Sequence, residues 1–470
     1  MSPAVPEHIL RELGRTEGGP EALGLLVRDQ DTRRLVLLRA LLDAARAAPA
    51  AVCPPALLDR LAADWSLLER AERTDKAAVR AVLLHPLVGP WAQRCLYGLT
   101  APAPGTATDP TPTLRADLAH FGALAVAGAI RAGLSFTRRL TARGELLTLP
   151  TLGALRTGAA PGHPVDTDIT ATGGRVTLRQ RGAAPLTARA ADGCLRSDDP
   201  RWLPLTTLPA VRPGALPVPL DDLDPYGTAG SGLERHGLSG AGDLDDGERK
   251  AWSEAWAGVE PLLSVGGAHR VTEAALLLRC LVPLAPPPGS GAAGEGAAHC
   301  SGTRREAFGA VLSSKPSTAA YFASTLVHEL QHTKLAALCD LVPLHHEDGA
   351  ARHFAPWRPD PRPFDGLLQG TYSHTALADY WQRFALGARR ATHRDLAWAE
   401  HSRCREQVGA ALPVLAGSAA LTPAGRVLVN ELIATYHRLC ETPPPPGHAA
   451  RAEAYVRTAR VIWRQRNQAG

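Results

Sequence analysis

Apolar residues recur every three or four positions through "LGLLVRDQDTRRLVLLRALLDAARA" and "LLDRLAADWSLLERAERTDKAAVRAVLLHPLVGPWAQRCL", the spacing of amphipathic helices. A further apolar helix, "LRADLAHFGALAVAGAIRAGL", follows the Pro/Thr-rich break "TAPAPGTATDPTPT". The texture then changes. "GELLTLPTLGAL", "VDTDITATGGRVTLRQ" and "APLTARAADGCL" are short, alternating and punctuated by Gly, Asp and Pro, which predicts antiparallel hairpins from about 140 to 210. "LDDLDPYGTAGSG" reads as a turn-rich connector closing that section.

Helical periodicity returns at "LDDGERKAWSEAWAGVEPLL", where Asp245 and Glu248 have the spacing of a capping box and Trp252 and Trp256 lie one turn apart as core residues. "LAPPPGSGAAGEGAAHCSG" has the composition of a flexible loop, and "TRREAFGAVLSSKPS" reads as extended. The C-terminal third is mainly helical, with a break at "ETPPPPG". The fold class expected is α+β, predominantly α-helical, with a small antiparallel β-sheet in the middle. Three regions follow, 1–138 helical, 139–226 β-rich and 227–470 helical and metal-binding, packed as one body.

Composition narrows the function classes. The 470 residues carry a formal charge of only +5, with basic residues scattered rather than in runs, which argues against nucleic acid as a partner. No apolar run reaches membrane-spanning length, so no membrane partner is expected. The eight cysteines (53, 95, 194, 280, 300, 339, 404, 440) form no Cys-x-x-Cys pair and no iron–sulfur triad. Free thiols in a reducing cytoplasm are the expectation.

The chemistry centres on "YFASTLVHELQHTKLAALCDL". His328 and His332, four residues apart, share one helix face and can point at one metal ion. A chain with 17 His holds about 0.03 such pentapeptides by chance. The helix has a start at Pro316-Ser317-Thr318 with a hydroxyl cap, and an apolar stripe of Phe322, Leu326 and Leu330 on another flank. A functional centre needs a third ligand. "TKLAALCDL" lacks the Gly and His of the extended zincin pattern, leaving His345, His346 and His353 in a loop, His374 at the start of a further helix, and Asp340 or Asp379 as lesser choices. His374 is favoured, because a second helix crossing the first brings it to the ion. Such a set leaves open positions on the metal.

The segments "TLVHELQHTKLAALCDLVPL" and "APWRPDPRPFDGLLQGTYSHTALADYW" resemble the HExxH-motif peptide-modification family of bacterial ribosomal-peptide gene clusters. The resemblance extends to "HPLVGPW" (His85 to Trp91), "DPRW" (Asp199 to Trp202), "LDDLDPY" (Leu220 to Tyr226), "RREAFGAVLSSKPS" and "LTPAGR" (Leu421 to Arg426), and so spans nearly the whole chain. It implies an enzyme that uses iron(II), 2-oxoglutarate and O2 to install a β-hydroxyl on a precursor peptide. It also implies that His374, in a Tyr-x-His segment, completes the iron ligands. Lacking a cysteine triad, the chain would be a stand-alone hydroxylase acting beside a separate radical-SAM enzyme.

The far carboxylate of 2-oxoglutarate needs a cation, and Arg358 and Arg362, on a stiff Pro-rich loop between the two histidine segments, are the candidates, with Lys334 ranked below them. Glu329 discriminates between mechanisms. In the alternative reading, a zinc metallopeptidase or amidase, it is the general base. In an oxygenase it supports the metal through a hydrogen bond or as a ligand. A non-enzymatic, metal-stabilised module binding a peptide along the edge of the 140–210 sheet is the third reading.

Overall fold

A computed structural model describes residues 5–100, 111–160, 162–229, 238–287 and 299–467. Most of "TAPAPGTATDPTPT", the end of "LDDLDPYGTAGSG" and the greater part of "LAPPPGSGAAGEGAAHCSG" lie outside the described residues. The chain is mostly helical with small sheets, as the periodicity predicts. No helix among the described residues is long and apolar enough to cross a membrane.

Helices Glu7–Gly14, Pro20–Ala47, Pro55–Thr74, Lys76–Leu83, Val88–Thr100 and Thr111–Arg131 form the N-terminal part. The long helix Pro20–Ala47 serves two cores. Ala22, Leu23 and Leu26 pack with the C-terminal helices, whereas Leu38, Leu41, Leu42 and Ala45 pack with the other N-terminal helices and the central hairpins. A rigid rod shared by two cores couples them, since neither can unpack without exposing part of it.

The expected antiparallel sheet consists of Phe136–Arg143, Pro164–Thr172, Arg175–Gln180, Leu186–Ala191 and Cys194–Arg196 in that order. Its inward set includes Leu140, Ile169, Ala171, Val176, Leu178, Leu186 and Ala188, which is the period-2 alternation read from the sequence. A three-stranded sheet, Leu146–Leu149, Gly153–Arg156 and Trp202–Pro204, stands beside it.

A second five-stranded sheet is mixed; of its central strands, Ala310–Ser313 lies in the stretch expected to be extended, and the parallel pairing has no signal in the sequence. It runs Ser301–Gly302, Ala310–Ser313, Cys280–Pro283, Val218–Leu220, Thr206–Leu208, and its central pairs are parallel. Cys280–Pro283 and Ala310–Ser313 are buried at every position, so they carry no alternation to detect. Ala310–Ser313 leads almost directly into helix Ala319–Leu341, which carries His328 and His332.

Helix Asp246–Ala257 opens with the full reciprocal capping box, and its Trp252 and Trp256 both pack edge-on against Phe322 of the histidine helix, each at 5.5 Å between ring centroids. Deeper in the seam, Lys334 is fully buried. Its ammonium donates to Glu273 at 2.5 Å and to the carbonyls of Thr16 and Glu17, both at 3.0 Å. Arg270 joins the same Glu273 at 3.1 Å and Thr16 O at 2.7 Å. Lys334 is therefore a structural cation, not an anion-binding one. Removing one partner of such a buried pair strands the other charge, and Lys334→Met should cost about 3–5 kcal/mol of unfolding free energy, measured by chemical denaturation.

His401, fully buried, donates through Nδ1 to the carbonyl of Ala378 at 2.8 Å. Burial holds it down at about 4 against an ordinary 6.5. The unfolded chain thus takes up the proton first, and stability falls as pH drops from 6.5 towards 4. His401→Gln should flatten that part of the stability–pH curve, read by denaturation at pH 7 and pH 5.

Candidate metal centre

Thr318 caps the first histidine helix, accepting from the amide of Tyr321 at 3.2 Å, and Phe322, Leu326 and Leu330 are buried as the stripe predicts. His328 and His332 emerge on a different flank and are half-buried. The second histidine helix, Phe364–Gly387, packs against the first and presents His374 to the same seam.

The Nε2 atoms of His328 and His332 are 3.1 Å apart, close enough to share a proton or a cation. The His328 and His374 rings approach edge-to-face with centroids 5.4 Å apart. The outer nitrogens fix the tautomers. His332 Nδ1 faces Gln369 Oε1 at 3.2 Å, and His374 Nδ1 donates to the carbonyl of Gly370 at 2.8 Å. With those nitrogens carrying the hydrogens, both Nε2 atoms keep free lone pairs. His328 Nδ1 is buried and has no partner. The donor atoms of the three histidines are not all within 4.8 Å of one another, a closeness reached among the described residues only by His85, Asp221 and Cys280. His374 has therefore to close on the pair to ligate with it.

Trp357 stacks flat on His374, with ring centroids 4.6 Å apart and 20° between planes. Gly370 makes this possible, because a Cβ there would stand 2.2 Å from the indole. Burial keeps all three imidazoles neutral, the form a metal needs. It brings His374 down to about 3, lowers His332, and takes His328 well below its ordinary value, with repulsion from His332, His374 and Arg403 adding to the last.

Glu329 accepts a 2.7 Å hydrogen bond from Ser301, on the edge strand of the mixed sheet, while its other oxygen is buried without a partner. Burial pushes its carboxyl up to about 7, against the hydrogen bond from Ser301. It is thus poised to hold or release a proton near neutral pH.

The two candidate arginines separate. Arg358 is engaged with Asp360 at 3.0 Å. Arg362 reaches Asp360 only at 3.5 Å, keeps its Nε buried and unpartnered, and acts electrostatically on His332. Arg403, on helix Ala391–Ala416, acts on both His328 and His374 and pairs with Glu400. No spacing in the sequence ties Arg403 or Gln369 to the histidine pair.

The remaining ligand candidates have other engagements. His345 and His353 pack on Phe364, and His346 is exposed. Asp340 bonds to Gln30 and Arg305, and Asp379 sits among Arg270, Arg383 and Arg438.

No protein-family model matches the chain, and no curated protein matches it significantly. The donor set, three neutral imidazoles with two outer N–H groups anchored, fits a divalent transition ion. His374→Ala should abolish tight binding of such an ion. Gln369→Ala, which only frees the orientation of His332, should weaken it about 10–100-fold, measured by competition with a chelator of known affinity.

Proposed function

We propose that the chain is an iron(II)- and 2-oxoglutarate-dependent oxygenase that hydroxylates a residue of a ribosomally made peptide. The observation that carries this reading is the seam in which His328 and His332, 3.1 Å apart, meet His374 with their ring nitrogens kept neutral by burial. The resemblance of both histidine segments to the HExxH-motif peptide-modification family supplies the reaction class. Iron(II), 2-oxoglutarate and O2 held there would supply the power to oxidise an unactivated C–H bond.

The protein's own residues have supporting roles in this reading. His328, His332 and His374 hold the ion, Gln369 and the Gly370 carbonyl orient two of them, and Trp357 covers His374 on one face. Arg362, with an unpartnered Nε and a field felt at His332, is a better fork for the cosubstrate's far carboxylate than Arg358. Ser301 holds Glu329 against the sheet edge, where an extended peptide can add its backbone to the strand. A separate radical-SAM enzyme acting on the same peptide, and a cytoplasmic setting, belong to this reading as well.

One observation favours a second reading. A buried Glu329 held near 7 beside His328 suits the general base of a zinc peptidase or amidase. The two readings separate without knowledge of the peptide. Adding 2-oxoglutarate to the anaerobic iron(II) protein should produce a visible metal-to-ligand charge-transfer band, absent in His328→Ala. With oxygen and a precursor peptide, succinate and a mass gain of one oxygen atom should follow. Glu329→Gln should lower iron affinity about 10–100-fold but recover turnover at saturating iron. Peptide cleavage with zinc and no cosubstrate, lost irrecoverably in Glu329→Gln, is the outcome that replaces the first reading with the second.

A further inference from the structure

Away from the histidine seam, three distant segments bring donor atoms together. His85 follows helix Lys76–Leu83 in "HPLVGPW", Asp221 follows strand Val218–Leu220 in "LDDLDPY", and Cys280 opens strand Cys280–Pro283. One ligand atom from each lies within 4.8 Å of the other two, and all three residues are more than nine-tenths buried, at 6, 3 and 0% exposure.

Their ordinary hydrogen bonding is incomplete. Neither ring nitrogen of His85 has a partner, although a neutral imidazole carries one N–H and one lone pair. Asp221 spends Oδ1 on the amides of Leu223 and Asp224, at 3.2 and 3.0 Å, and turns Oδ2 towards His85 Nε2 at 3.8 Å, beyond hydrogen-bond reach. The Cys280 thiol makes a long, 3.6 Å contact to the adjacent Leu281 carbonyl. Packed cores rarely leave a histidine with both nitrogens idle beside a carboxylate and a thiol.

The backbone around the cluster is fixed. Arg34 donates to the carbonyls of His85, Pro86 and Glu306 at 2.9, 3.1 and 2.9 Å. The amide of Asp221 bonds to Leu281 O at 2.8 Å, and Leu220 is in parallel register with Leu281. The donors are thus held on rigid elements, as a structural metal site requires.

We propose that His85, Asp221 and Cys280 bind a second divalent ion of the zinc class. Thiolate, imidazole and carboxylate are the donors zinc takes in closed sites. The carboxylates of Asp221 and Asp224 both act on the Cys280 thiol, which burial raises first of all. At His85, burial and the positive field of Arg34, Arg131 and Arg279 keep the imidazole neutral, the form that ligates. The ion would tie the N-terminal helices to the mixed sheet whose strand Ala310–Ser313 feeds the histidine helix. It is a staple and not a reaction centre, and it is independent of which metal His328 holds.

The test uses the full-length chain with His328→Ala and His332→Ala, which removes the imidazole pair and leaves the second cluster untouched. Elemental analysis after dialysis should find one equivalent of zinc in this variant and two equivalents of metal in the iron-loaded wild type. Replacing the zinc by cobalt(II) should give a near-ultraviolet thiolate-to-cobalt charge-transfer band, since the histidine seam offers no sulfur. Adding Cys280→Ser should abolish that band and reduce the metal to below a tenth of an equivalent, with circular dichroism checking the fold. A double histidine variant that folds, holds no zinc and shows no thiolate band overturns the proposal. That reading needs no data from a Cys280 variant.

Discussion

Burial of imidazole without protonation is the constraint on which the histidine seam depends. A histidine exposed to water is protonated part of the time and is then no ligand. Between two packed helices the charged form is too costly, and His328, His332 and His374 stay neutral through the physiological range. Neutral rings still need their orientation fixed. Gln369 and the Gly370 carbonyl do this for His332 and His374, so that packing and hydrogen bonding act on the same rings.

The flanks of the seam are held by groups that have nothing to do with ligation. On one side Trp252 and Trp256 close over Phe322. Towards the interior, Lys334, Glu273 and Arg270 join the first histidine helix to helix Ala268–Leu277 and to the Thr16–Glu17 turn. On the second helix, the missing side chain of Gly370 admits Trp357 flat against His374. Small shifts in any of these would move an imidazole by the fraction of an ångström to which coordination is sensitive.

Glu329 sits where the competing chemistries diverge. Its carboxyl is pinned by Ser301 at the sheet edge, and burial raises it to about 7. A group in that state can accept a proton from water or merely stabilise the neighbouring imidazoles. Arg362 and Arg403 add two positive fields from opposite elements, one felt at His332 and the other at His328 and His374. An anionic cosubstrate or a peptide carboxylate would be drawn to the seam by the same fields.

Much of this was legible in local pattern. The fold class, the alternation of the central hairpins, the Thr318 cap, the Asp245–Glu248 box and the core role of the Trp pair follow from rules that act within about four residues along the chain. So does the pairing of His328 with His332, because a helix turn fixes it. Which helix crosses the first is not fixed by spacing; in the tertiary structure the His374 ring stands 5.4 Å from that of His328, nearer than His345, His346 or His353 are shown to come. The parallel pairing of Cys280–Pro283 with Ala310–Ser313, the pairing of Lys334 with Glu273, the approach of Arg403 and the meeting of His85, Asp221 and Cys280 had no signal in the sequence. Each joins residues tens to hundreds of positions apart, and only the packing of whole elements decides such contacts. Spacing along one helix is set by covalent geometry, whereas proximity between elements is set by which apolar faces bury each other.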